Sequence, residues 1–130
     1  MILCSGAFDG LHSGHLAYLY AAAALDPSMP LVVAVAPDTY IRDAKHRAPR
    51  WTQAQRAETV AAIRGVSRVI AHEEPSIAAT IARIRPALVV KGHEWAHCLP
   101  ADVAAAVVEA GAGLAFVDTE QTHGSAVAWH

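Results

Sequence analysis

The run Leu31-Val32-Val33-Ala34-Val35 constrains this chain more than any other feature. It is wholly apolar and rich in β-branched residues. A strand with one face in water alternates polar and apolar side chains, whereas an uninterrupted run reads as a parallel strand covered on both faces. Parallel neighbours cannot be joined by a tight hairpin, so helices must cross between them. The rest of the sequence supplies that alternation. Ile2 to Ala7 reads as a strand and His15 to Leu25 as a helix whose alanines suit close packing on a sheet. After Leu31–Val35, Asp38 to Ala44 reads as a short helix and Lys45 to Arg50 as a mobile basic loop. Thr52 with Gln55 three residues on is a capping box, opening a helix to about Ile63. Arg68 to Ala71 is a strand, Ser76 to Ile84 a helix, Ala87 to Val90 a strand, Ala101 to Ala110 a helix ended by Gly111, and Leu114 to Val117 a last strand. This pattern predicts an α/β sandwich, one domain over residues 1–130, with a mainly parallel five-stranded sheet. Right-handed crossovers place every strand C-terminus on one edge, where ligands bind at the switch in strand order.

Composition narrows the function classes. The chain is 54% hydrophobic and 17% charged over 130 residues, enough for a real core and too apolar for disorder. A net charge of −2, with basic residues clustered only at Arg42, Lys45, Arg47 and Arg50, argues against a nucleic-acid surface. No apolar run is long enough to span a membrane, so no membrane partner is expected. The first residues enter a strand without a basic n-region or cleavage site, so no signal peptide is expected. Cys4 and Cys98 form no framework; Cys4, inside an apolar strand, reads as a buried small hydrophobe, and a reducing cytoplasmic setting fits.

The chemistry concentrates in Gly6-Ala7-Phe8-Asp9-Gly10-Leu11-His12-Ser13-Gly14-His15. It follows a buried strand and opens a helix on two histidines. A helix N-terminus offers unpaired N–H groups and a partial positive charge, a natural seat for phosphate. Imidazoles at i and i+3 lie on one side of the first turn and can donate to the same phosphate group. Gly14 removes a side chain where a ligand approaches the backbone.

The pattern F-D-x-x-H-x-G-H, carried by Phe8, Asp9, His12, Gly14 and His15, resembles the nucleotide-binding motif of the cytidylyltransferase-like nucleotidyltransferases. Along most of the chain the resemblance is to the adenylyltransferase domain of ADP-heptose synthases, with glycerol-3-phosphate cytidylyltransferases next. Val35-Ala36-Pro37-Asp38 resembles the family's second-strand end, and Arg42 and Lys45 fall where it carries a phosphate-binding loop. Pro49 and Arg56 resemble the proline and arginine that follow. Val89-Val90-Lys91-Gly92-His93-Glu94-Trp95 is similar to its V-K-G-G-D-[YW] segment, with Glu94 in place of the aspartate.

The resemblance implies a Rossmann-like three-layer sandwich and an enzyme that transfers a nucleotidyl group from ATP or CTP to a small phosphorylated acceptor, releasing pyrophosphate. The acceptor would be a sugar phosphate such as heptose 1-phosphate, or glycerol 3-phosphate. His12, His15 and Lys45 would be catalytic. Gly6, Ala7, Phe8, Gly14, His15, Lys91, Gly92, Glu94 and Ser125 would bind the nucleotide, and Asp9, Asp38 and Arg56 the acceptor. Mg²⁺ would arrive with the triphosphate, with no metal site built from side chains. A homodimer is also implied.

Two readings compete. Near Ser125 the family's two threonines are absent, which leaves open a catalytically weak or inactive nucleotide-binding homologue. His93-Glu94-Trp95-Ala96-His97 also satisfies H-E-x-x-H, the zinc-protease pattern. That chemistry needs both histidines on one face of a stable helix. A strand end before it and Pro100 after it leave scarcely room for one.

Overall fold

The computed structural model describes residues 1–118. Five strands and five helices follow one another in the order β1 (Ile2–Gly6), α1 (Ser13–Ala24), β2 (Leu31–Val35), α2 (Asp38–Lys45), α3 (Gln53–Ala61), β3 (Val66–Ala71), α4 (Ala78–Ile84), β4 (Leu88–Gly92), α5 (Ala101–Glu109) and β5 (Gly113–Val117). The strands form one sheet, ordered β3-β2-β1-β4-β5, and every neighbouring pair is parallel. β1 lies at its centre, with Ile2–Gly6 opposite Leu31–Val35 on one side and Ile2–Cys4 opposite Leu88–Val90 on the other.

Both faces of the sheet are covered, as the uninterrupted apolar run of β2 requires. Ile2, Cys4, Val33, Val35 and Val90 point to one face and pack with Leu19 and Ala22 of α1 and Val60 of α3. Leu3, Val32, Ala34 and Val89 point to the other and pack with Ile77, Ile81 of α4, and Val103 and Val107 of α5. Each fully buried Val, Leu or Ile contributes roughly 1.5–3 kcal/mol by leaving water, so this two-sided core carries the fold.

The element ends differ from the sequence expectation by a residue or two, and two of the differences matter for the site. α1 begins at Ser13, because the His12 side chain itself caps the helix. The segment expected to be a mobile basic loop, Lys45 to Arg50, is not free of structure. Lys45 is the last residue of α2, and the residues after it are tied to Asp9. The Thr52–Gln55 capping box opens α3 as read.

Candidate active site

In this strand order the chain leaves β1 in opposite directions toward β2 and β4, so the crevice lies at the C-terminal ends of the central strands. A cavity of about 610 Å³ occupies that edge. Its floor is the end of β1. A Cβ at Gly6 would stand 3.0 Å from the Phe8 ring, so only glycine lets the phenyl group fold back over the strand. Phe8 is 3% exposed and sits at φ +53°, a left-handed conformation that costs a non-glycine residue roughly 1–2 kcal/mol. Burial of the ring offsets that cost, and the ring in turn tilts against His15, with centroids 5.4 Å apart.

The two histidines cap their own helix. His12 Nδ1 accepts from the Gly14 amide at 3.0 Å, and His15 Nδ1 accepts from the His12 amide at 3.2 Å. An imidazole nitrogen that accepts carries no proton, so each ring bears its proton on Nε2. The rings lie 4.0 Å apart. The capping box therefore fixes tautomer and orientation together, and each ring keeps an Nε2–H donor at the N-terminus of α1. Burial, then the neighbouring His12 and Lys45, lowers the His15 pKa to about 4. His15 is neutral at pH 7, and an arriving anion meets an N–H donor whose basicity it can raise.

Asp9 and Arg56 take roles the sequence did not assign. The Asp9 side chain is 2% exposed. It accepts from the amides of Arg50 (2.9 Å) and Trp51 (3.0 Å) and from Arg47 Nη1 (2.6 Å). Burial opposes its ionisation, yet these amides and the Arg47 guanidinium hold its carboxyl at about 2. Its oxygens thus fold the segment between α2 and α3 under the cavity. Arg56, 1% exposed, spends its guanidinium inside the protein. It donates to the carbonyls of Trp51 (3.0 Å), Ala7 (2.7 Å) and Ala36 (2.8 Å) and pairs with Asp38 at 2.7 Å. Asp38 and Arg56, expected at the acceptor, are not among the residues lining this cavity, and Arg56 ties the ends of β1 and β2 to α3. Its carboxylate partner is Asp38.

Across β1, Lys91 near the end of β4 donates to Ser5 Oγ at 3.1 Å and lies 4.5 Å from the centre of the Trp95 ring. Burial lowers its pKa, while the Glu94 carboxylate works against that. The Glu94 carboxylate folds back against Gly92, so a Cβ there would displace it. Tyr18 of α1, 6% exposed, donates to Val90 O at 2.7 Å and accepts from the Ser5 amide at 3.3 Å, pinning α1 across β1 and β4. Cys4 is fully buried, and burial pushes its thiol up to about 12.

His12, His15 and Lys45 all line the cavity, as do Asp9 and the residues expected at the nucleotide from β1, α1 and β4. Ser125 lies outside the described residues. The cavity also takes in Tyr40, Arg47, His72 and Ser76, which sequence reasoning did not single out. Their only signal was position: each follows, by a few residues, a strand or helix that ends on this edge. The H-E-x-x-H segment forms a single 3-10 turn, His93–Trp95, so the two histidines share no α-helical face. Among the described residues no group of three or more His, Cys, Asp or Glu is arranged to hold a metal ion.

Residues 3–111 match the family model described as cytidylyltransferase-like. The chain belongs to that family. It is 35% identical over 96 residues to an FAD synthase of Natrialba magadii, covering 74% of this chain and 62% of that protein. It is 34% identical over 120 residues to an FAD synthase of Methanopyrus kandleri, covering 92% and 75%. It is 33% identical over 96 residues to the bifunctional protein HldE of Coxiella burnetii, covering 73% of this chain but 20% of that much longer protein. Among solved structures, the lipopolysaccharide core biosynthesis protein from Thermoplasma volcanium shares the fold, with a TM-score of 0.74 at 23% identity over 90% of this chain and 95% of that one. Among the described residues no helix is long and apolar enough to cross a membrane.

Proposed function

We propose that this domain transfers a nucleotidyl group from ATP or CTP to a small phosphorylated acceptor and releases pyrophosphate. The observation that carries this reading is the reciprocal capping of His12 and His15, which leaves two Nε2–H donors at the N-terminus of a helix facing the cavity. Two imidazole N–H donors at a helix N-terminus suit an anion whose charge grows during reaction.

An oxygen of the acceptor phosphate attacks the α-phosphorus, the bond from that phosphorus to the α,β-bridging oxygen breaks, and pyrophosphate leaves in line. No covalent enzyme intermediate is needed. The protein's part is alignment and neutralisation of charge moving onto the leaving group. His12 and His15 donate to the phosphates. Lys45, at the end of α2 and close enough to depress the His15 basicity, adds a cation on the same side. Lys91 and Gly92 at β4 border the nucleoside. Asp9 positions the segment that carries Arg47 and Arg50. Magnesium enters as the nucleotide's own complex, because the ion keeps its waters and binds phosphate oxygens readily.

The acceptor spans the chemistries of the relatives: an FMN phosphate, since FAD is an adenylyl group joined to FMN, or a sugar or polyol phosphate. Pyrophosphate release with ATP and with CTP, in Mg²⁺, against FMN, heptose 1-phosphate and glycerol 3-phosphate tests the reading. At least one pair turns over, and His15→Ala lowers kcat about 100-fold or more with the circular dichroism unchanged. Nucleotide binding without any pyrophosphate, or full turnover in His15→Ala, sinks it. The homodimer belongs to the same reading, and sedimentation at micromolar concentration tests it.

A further inference from the structure

The cavity has two ends, and their histidines are protonated on opposite nitrogens. At the α1 end, Nδ1 of both rings accepts a backbone amide and Nε2 carries the proton. His72 follows β3, on the far side of β2 from the β1/β4 crevice. Its Nδ1 lies 2.8 Å from the carbonyl of Glu74. A carbonyl oxygen only accepts, so Nδ1 carries the proton and Nε2 is a bare acceptor. His72 is 3% exposed and lines the cavity. Its backbone is fixed on both sides: its amide donates to Val35 O at 3.3 Å and its carbonyl accepts from Gln53 Nε2 at 2.7 Å. Burial also depresses its pKa, against the pull of Glu74, which keeps the ring uncharged at pH 7.

A bare, uncharged imidazole nitrogen has no attraction for phosphate; it accepts from hydroxyl or N–H groups. The lobe that follows β2 and β3 also takes in Ala36, Tyr40, Ser76 and Ile77, and the cations whose field reaches His72 are Arg83 and Lys91. With the triphosphate at the α1 N-terminus and the nucleoside toward β4, this lobe is the space left for the acceptor beyond its phosphate. We infer that His72 is a specificity-determining residue that accepts a hydrogen bond from a hydroxyl or ring N–H of the acceptor, making the acceptor a polyhydroxylated or N–H-bearing phosphomonoester. This rests on the transfer reaction proposed above.

The test compares the full chain as wild type with two variants: His72→Phe, which has an aromatic ring but no acceptor, and His72→Gln, whose Oε1 reaches about where Nε2 stood. Acceptor and nucleotide KM are measured with the best of FMN, heptose 1-phosphate and glycerol 3-phosphate. Loss of one such hydrogen bond raises the acceptor KM about tenfold in His72→Phe, with nucleotide KM within about twofold, and His72→Gln recovers most of the loss. Equal damage in both variants, or acceptor and nucleotide KM rising together, assigns His72 a purely structural role and overturns the inference. If wild type turns over none of the three, the transfer reading falls. The His72 inference is then decided by ¹⁵N NMR of the ATP-loaded domain. A shift of the His72 Nε2 resonance on adding any of the three upholds it, and a stationary resonance overturns it.

Discussion

Arg56 is the residue whose replacement best separates a structural from a ligand-binding role. Arg56→Met keeps the aliphatic length and removes the guanidinium. Three carbonyls, of Ala7, Ala36 and Trp51, and one Asp38 oxygen then lose their donor. Asp38 is 31% exposed, so water replaces that partner at small cost. Ala7 and Ala36 border the cavity. Removing one side of a buried charged cluster costs about 3–5 kcal/mol, and this partial rehydration sets the expectation at the low end, about 3 kcal/mol. That is a large share of the roughly 5–15 kcal/mol by which domains are stable, and it corresponds to a melting-point drop of roughly 10 °C. Arg56→Lys keeps the charge but lacks the planar fork, so it recovers less than half. Urea denaturation monitored by circular dichroism gives the number directly. An Arg56→Met domain within about 1 kcal/mol of wild type would refute the clamp, and a raised acceptor KM in that same stable variant would return Arg56 to the acceptor.

Other expectations follow from the same geometry. Tyr18→Phe removes the hydroxyl that joins α1 to Val90 and Ser5 and costs about 1–2 kcal/mol of stability, read from urea unfolding; no change would mean that water or Ser5 compensates fully. His15 titrates near 4 in the folded domain and near 6.5 when unfolded. Between those values the unfolded chain binds a proton that the folded one refuses, so this group's contribution to stability falls as pH drops from about 6.5 toward 4. Histidine NMR checks it: the His15 resonance should titrate near 4 alone and higher with a bound triphosphate, and an ordinary titration in the free domain would contradict the capped geometry. A thiol reagent under native conditions should modify Cys98, which is exposed, and spare Cys4, which is buried with its thiol pushed up to about 12; two fast equivalents would show that β1 opens readily.

What the sequence determined by itself is local or periodic. The apolar run of β2 required a parallel strand covered on both faces, and the alternation with helices required crossovers. Thr52 and Gln55 announced the start of α3. Phe8, Asp9, His12, Gly14 and His15 marked one end of the cavity, because a helix N-terminus and its flanking residues are contiguous in the chain. Tertiary structure decided everything that depends on which distant groups meet. Asp9 and the amides of Arg50 and Trp51 are some forty residues apart, so nothing local says that the carboxylate is already committed. Arg56 read as an acceptor-binding arginine, whereas the ends of β1 and β2 bring the carbonyls of Ala7 and Ala36 onto its guanidinium. The histidine tautomers are the sharpest case. Proton position depends on whether Nδ1 faces an amide or a carbonyl, which the backbone path alone decides. His12 and His15 became donors and His72 an acceptor for that reason, although the three side chains are chemically identical.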